Sequence, residues 1–154
     1  MRHSPAAKVL VVDDDEVWLT KIQSSLERDG ILVACARSPE EAIEHLRHEH
    51  YDIILLDWVL GDQEASTVMP SIRKEAKGTP VWIVTGRDRG SVEKEARTTG
   101  ARGLITKGAG LGLDIGFRLL SIIADLKRSG MQSNLDGLEE MGSRLSDAPT
   151  KRNG

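Results

Sequence analysis

The sequence predicts an α/β domain, an open and doubly wound parallel sheet lying between two layers of helices. Two observations carry that prediction. Five short apolar runs alternate with segments whose apolar residues recur at three- and four-residue steps, the pattern of repeated βαβ units. The runs are also uninterrupted, as strands buried on both faces are. Five such units in about 120 residues are too few for an eight-stranded barrel, so the sheet is open.

The first strand is Lys8–Val12 ("KVLVV"), and Leu19, Ile22 and Leu26 mark the helix after it, which stops at "RDG". The second strand is Ile31–Cys35. "SPEEAIEHLRHEH" then opens a helix with Ser38 as N-cap, Pro39 at the first position and Glu41 at the third, a capping box above a stripe of Ala42, Ile43 and Leu46. Ile53–Leu56 is the third strand, and Val68, Met69, Ile72 and Ala76 mark the third helix. Val81–Val84 precedes a helix marked by Val92 and Ala96. Gly103–Thr106 precedes an apolar helix from Leu113 to Leu126.

A chain of 154 residues suits one domain with its own core. Its net charge of −3 gives no basic patch to argue for nucleic acid. No apolar run is long enough to span a membrane, and the first ten residues lack a signal-peptide core. The single Cys35, set in an apolar stretch, is expected to be a buried structural thiol in a reducing cytoplasm.

In open α/β sheets functional groups gather beyond the carboxyl ends of the strands. Here the first strand ends in Asp13-Asp14-Asp15, the third in Asp57, the fourth in Thr85-Gly86 and the fifth in Thr106-Lys107-Gly108. Two like charges about 4 Å apart cost roughly 4 kcal/mol at an effective dielectric of 20, so clustered carboxylates call for a cation. All-oxygen ligands favour a hard ion, Mg²⁺ or Mn²⁺, and Mg²⁺ completes its shell with water and phosphate oxygens. Thr85 and Lys107 are the hydroxyl and ammonium a phosphoryl group needs. The pattern is that of a phosphoryl-transfer site whose nucleophile is a carboxylate. Taken singly each residue has a plainer role, Asp14 or Asp15 as a helix cap and Lys107 as a solvated loop residue. Their conjunction on four strand ends is what argues for chemistry.

On these motifs, "VLVVDDD", "DIILLD", "VWIVTG" and "GLITK", residues 8 to about 129 resemble the receiver domain of two-component response regulators. The resemblance implies a flavodoxin-like sheet of order 2-1-3-4-5, with residues 1–7 an N-terminal extension and 130–154 a polar tail. It implies that Asp57 accepts a phosphoryl group from a phosphohistidine on a sensor histidine kinase or phosphotransfer protein. Asp14, Asp57 and the backbone carbonyl of Val59 would hold Mg²⁺ (or Mn²⁺), with Asp13 assisting through water, and Thr85 and Lys107 would bind the phosphoryl oxygens. Output would pass to a protein target, or a second copy of the chain, through the fourth helix, fifth strand and fifth helix, including Leu104 and the stretch around Phe117.

The chain departs from the family in four places. Leu104 stands where an aromatic is usual, and Gly108 where a proline follows the Lys, so a trans bond and a mobile "KGAGLG" loop are expected. The turn after the acceptor reads "DWVLGDQEAS", with Gly61 and Ala65, and it puts Trp58 near the metal. Arg87 lies two residues after Thr85, where access of water is tuned.

A haloacid-dehalogenase-type phosphohydrolase is the rival reading, with Asp13 as nucleophile and Asp15 as general acid. It lacks that family's Thr near the first Asp and leaves Asp57 unexplained. A receiver-like module that binds partners without phosphorylation is a third. "GAGLG" at 108–112 follows the last strand rather than the first, so it is a poor nucleotide loop. His45, His48 and His50 read as a solvated helix face. Leu135, Leu138, Met141 and Leu145 allow a short amphipathic helix in the tail, which Gly137 and Gly142 weaken.

Overall fold

The computed structural model describes residues 7–107 and 118–128. Its elements are β1 (Ala7–Val12), α1 (Glu16–Arg28), β2 (Ile31–Ala36), α2 (Pro39–His48), β3 (Ile53–Asp57), β4 (Val59–Leu60), β5 (Gln63–Glu64), α3 (Ala65–Ala76), β6 (Val81–Thr85), α4 (Arg89–Thr98) and β7 (Gly103–Thr106). The chain divides into two compact units, Met1–Leu120 and Ser121–Gly154. Within 118–128 the backbone is helical. The expectations for Gly108, the "KGAGLG" loop, Leu113–Phe117, the tail helix and most of the N-terminal extension lie outside the described residues.

Five strands form one parallel sheet in the order β2-β1-β3-β6-β7, which is the predicted 2-1-3-4-5 once the hairpin β4–β5 is set aside. Strand alternation sends successive side chains to opposite faces. Leu10, Val12, Ile54, Leu56, Val81, Ile83 and Leu104 therefore share one face. They pack there with Ala42 and Leu46 of α2, Val68, Met69 and Ile72 of α3, and Val92 and Ala96 of α4. The alternate positions Val9, Val11, Ile53, Leu55 and Val84 are equally buried, as a sheet covered on both sides requires. On α1, Leu19, Ile22 and Leu26 are the buried stripe.

The capping signals act locally as read, with one shift. Ser38 Oγ accepts the Glu41 N–H at 3.2 Å. The Glu41 carboxylate reaches one residue further back, to the N–H of Arg37 at 2.8 Å.

Leu104 is 4% exposed and belongs to the core. It fills the place read for the family's aromatic, and it lines a groove beside α4 together with Glu93, Arg97 and Gly103. Cys35 also differs from expectation. It lies on the edge strand β2, half-buried, with its Sγ 3.6 Å from Gln23 Oε1. Burial, then the charge of Glu27, push its thiol pKa above the ordinary value.

Gly103 marks a close approach in the sheet. A Cβ built there would collide with the six-membered ring of Trp82 on β6. Gly103→Ala is expected to cost about 1–3 kcal/mol and lower Tm by about 3–10 °C. Thermal melting of the variant checks this, and Trp82→Leu should restore part of the loss. An unchanged Tm would mean that the ring moves freely.

Candidate functional site

The three consecutive aspartates do different things. Asp15 is the N-cap of α1, and its Oδ1 accepts the N–H groups of Val17 at 3.0 Å and Trp18 at 3.2 Å. Two of the helix's orphan donors are thereby satisfied. Asp15 thus has its carboxylate committed to α1, which leaves the other two for the site. Asp13 is fully buried. Its Oδ1 accepts the Asp15 N–H at 2.9 Å, and its Oδ2 lies 2.6 Å from Lys107 Nζ. Asp14 is exposed, and its Oδ2 accepts the Gly61 N–H at 2.9 Å.

Asp57 ends β3, in register with Val84. Its Oδ2 lies 3.6 Å from Lys107 Nζ, and its side chain is 12% exposed. Asp13, Asp14 and Asp57 each present one carboxylate oxygen within 4.8 Å of the others, the one such group among the described residues. Burial first, and the charge of Asp13 second, push the Asp57 carboxyl up to about 7. The Lys107 ammonium and the N–H of Val59 pull the other way. Charge is thus concentrated at a point where desolvation makes it costly. Lys107 is the local counterion.

Thr85 is buried at the end of β6. Its Oγ1 accepts the Arg87 N–H at 2.9 Å, which leaves the hydroxyl hydrogen free to donate. Its carbonyl accepts the Lys107 N–H at 2.6 Å, so the two residues read as phosphoryl ligands are joined through the backbone. Arg87 reaches Glu64 on β5 at 3.5 Å, an ion pair between the loop after β6 and the hairpin.

That hairpin was not anticipated. Val59 pairs with Glu64 and Leu60 with Gln63, antiparallel, around Gly61-Asp62. Gly61 has φ +62°, as the first central position of a II′ turn requires. The Ala65 N–H donates to the Trp58 carbonyl at 2.7 Å. Alternation of bonded and non-bonded pairs then turns the N–H and C=O of Val59 away from β5.

Trp58 turns into the core rather than toward the acidic cluster. It is 1% exposed and packs in the core with Leu56 and Leu60. Ile54, Leu56 and Trp58 share one face of the extended chain, so the alternation already visible in the sequence could have placed it. The indole at the site belongs to Trp18, with Lys107 Nζ 4.6 Å from its ring centroid. Its signal was its position in the first turn after β1, on the functional edge of the sheet.

His48 and His50 are exposed, as expected of a solvated face. His45 is half-buried and its Nε2 lies 3.2 Å from the Cys35 carbonyl. No described helix is long and apolar enough to cross a membrane.

Fold and site together define a phosphoryl-transfer module, a doubly wound sheet with an acidic cluster, a hydroxyl and an ammonium at one edge. Comparison with known proteins gives the family. The family model of the response regulator receiver domain matches residues 9–112, and the chain belongs to that family. It is 36% identical over 81 residues to the alkaline phosphatase synthesis transcriptional regulatory protein PhoP of Bacillus subtilis, covering 53% of this chain and 34% of PhoP. The chain therefore spans about a third of that relative's length. A CheY-like receiver domain protein from Methanospirillum hungatei shares the fold at TM-score 0.70 and 23% identity, over 80% of this chain and 98% of the other. A two-component response regulator from Clostridium difficile matches at TM-score 0.68 and 27% identity, over 77% and 96%. The family's function is phosphorylation on an Asp, its acidic pocket binds Mg²⁺, and its members interact with histidine kinases. Membership removes the dehalogenase-type reading, and Asp15, the proposed general acid there, is occupied as a helix cap.

Proposed function

We propose that Asp57 is the phosphoacceptor of this receiver. The observation that carries the reading is the convergence of Asp13, Asp14 and Asp57 carboxylate oxygens within 4.8 Å of one another, with the Lys107 ammonium beside Asp13 and Asp57. In the transfer, an Asp57 carboxylate oxygen attacks the phosphorus of a kinase phosphohistidine. The P–N bond breaks and the imidazole leaves with the bonding pair, to be protonated. The product is an acyl phosphate on Asp57, which water later hydrolyses.

The donor set fits Mg²⁺: three carboxylates and no sulfur or imidazole. Asp13, Asp14, Asp57 and the Val59 carbonyl would hold it, and the outward turn of the Val59 carbonyl supports its inclusion. When bound, the ion supplies charge neutralisation for the incoming phosphoryl oxygens.

The protein's own groups do the rest. Lys107 can exchange its contact with Asp13 for a phosphoryl oxygen without leaving the site, because Asp57 is only 1.0 Å further away (3.6 against 2.6 Å). Thr85 donates its free hydroxyl hydrogen to a second oxygen. The Arg87–Glu64 pair ties the loop after β6, the strand that ends in Thr85, to the hairpin that follows Asp57. Output passes to a protein partner over α4 and β7, where Glu93, Arg97, Ala101, Arg102 and Gly103 line a shallow groove.

Intact-mass spectrometry after incubation with acetyl phosphate tests this. One phosphoryl group is expected with Mg²⁺ and none after chelation. Uptake that ignores Mg²⁺, or none at all, would overturn it.

A further inference from the structure

The contact between Trp18 and Lys107 is unexplained by the fold. Leu19, Ile22 and Leu26 supply the core contacts of α1, while Trp18 is only half-buried beside the exposed Val17. Yet its indole stands 4.6 Å from the Lys107 ammonium, within the roughly 6 Å over which a ring face attracts a cation. The Trp18 backbone N–H donates to Asp15 Oδ1 at 3.2 Å, so the backbone from which the ring extends is held. Lysine is a point charge on a flexible four-carbon stem and needs outside help to stay in one place.

Carboxylates and indole hold the ammonium in different ways. The nearest oxygens of Asp13 and Asp57 lie at 2.6 and 3.6 Å. A phosphoryl group on Asp57 would compete with those contacts. An aromatic face attracts a cation over its whole area and makes no directional hydrogen bond, so it keeps its hold as the ammonium shifts.

We infer that Trp18 is a positioning residue. Its indole face holds the Lys107 ammonium beside Asp57 and thereby sets the rate at which Asp57 takes up a phosphoryl group. This rests on Asp57 being the phosphoacceptor. Trp18 itself touches neither phosphorus nor metal in this scheme and acts through Lys107.

The test compares the full chain with Trp18→Phe, Trp18→Leu, Lys107→Met and the Trp18→Leu/Lys107→Met double variant. Phosphorylation by acetyl phosphate in Mg²⁺ is followed by intact mass, and Mg²⁺ affinity by calorimetry. Trp18→Leu should slow uptake by about five- to tenfold, and Trp18→Phe, which keeps a ring face, by no more than about twofold. Mg²⁺ affinity should change by less than about twofold in both, because the ring is no ligand. In the Lys107→Met background, Trp18→Leu should cause no further slowing, since the two act as one unit.

Fluorescence gives a reading apart from activity. The emission of the wild type minus that of Trp18→Phe isolates Trp18, and that difference should shift when Lys107→Met removes the ammonium. Wild-type uptake by Trp18→Leu, equal slowing with and without Lys107, or an unshifted difference spectrum would each overturn the inference. Absence of any adduct on the wild type would instead overturn the phosphoacceptor reading, and this one with it.

Discussion

Asp57→Asn should take up no phosphoryl group from acetyl phosphate, and above pH 7 without metal it should be more stable than the wild type. The two effects have one origin. Asp57 is held at about 7 by burial and by the charge of Asp13. Once ionised, it is a desolvated charge facing another. Asn has the same shape and no charge, so it is relieved of both penalties while losing the nucleophile. The expected gain at pH 8 is about 4 kcal/mol, or ~10 °C in Tm. At pH 5 the folded carboxyl is protonated but an unfolded Asp is still ionised, so the gain should shrink to less than half and vanish only below about pH 4. Melting curves at the two pH values, without Mg²⁺, check this. A variant less stable than wild type at pH 8 would show that the Asp57 carboxylate is a net stabiliser.

Mg²⁺ binding should tighten by about a hundredfold between pH 5 and pH 8, because a proton on Asp57 competes with the metal. The folded value, about 7, lies above the 3.8 of an ordinary Asp. The extra proton therefore stabilises the metal-free fold fully below pH 3.8. That contribution is lost as pH rises through 7. Metal-free protein should accordingly lose stability from this group between pH 5 and 8, and Mg²⁺ should restore most of it at the upper end. Calorimetric titration across that range measures the first effect. A flat affinity would mean that Asp57 is already ionised at pH 5, with Lys107 holding the cluster more strongly than its burial allows.

Much of this was legible because it depends on patterns of short period. The five strands and the stripes of α1 to α4 followed from apolar spacing, and the site followed from what stands at the strand ends. The hairpin was not legible, because two pairs of residues around Gly61-Asp62 are too short to make a hydrophobic pattern. Trp58 was misplaced by reading the segment after Asp57 as a loop, although the two-residue alternation runs on through it. Trp18 was passed over because an aromatic in a first helical turn ordinarily belongs to the core. Only the 94-residue return of Lys107 to Asp13 gives it a cation to face.

That long return bears on synthesis. Domains emerge from the ribosome N-terminus first, at about 5–20 residues per second. Asp13, Asp14 and Asp57 are all made before Lys107, the last member of the cluster. A nascent chain that has paired β1 with β3 already gathers three acids with no internal counterion. The residue after the final strand brings an ammonium to them, so the proposed acceptor is translated well before the lysine it faces. An unfinished chain carries the proposed nucleophile without the ammonium that it faces in the finished fold.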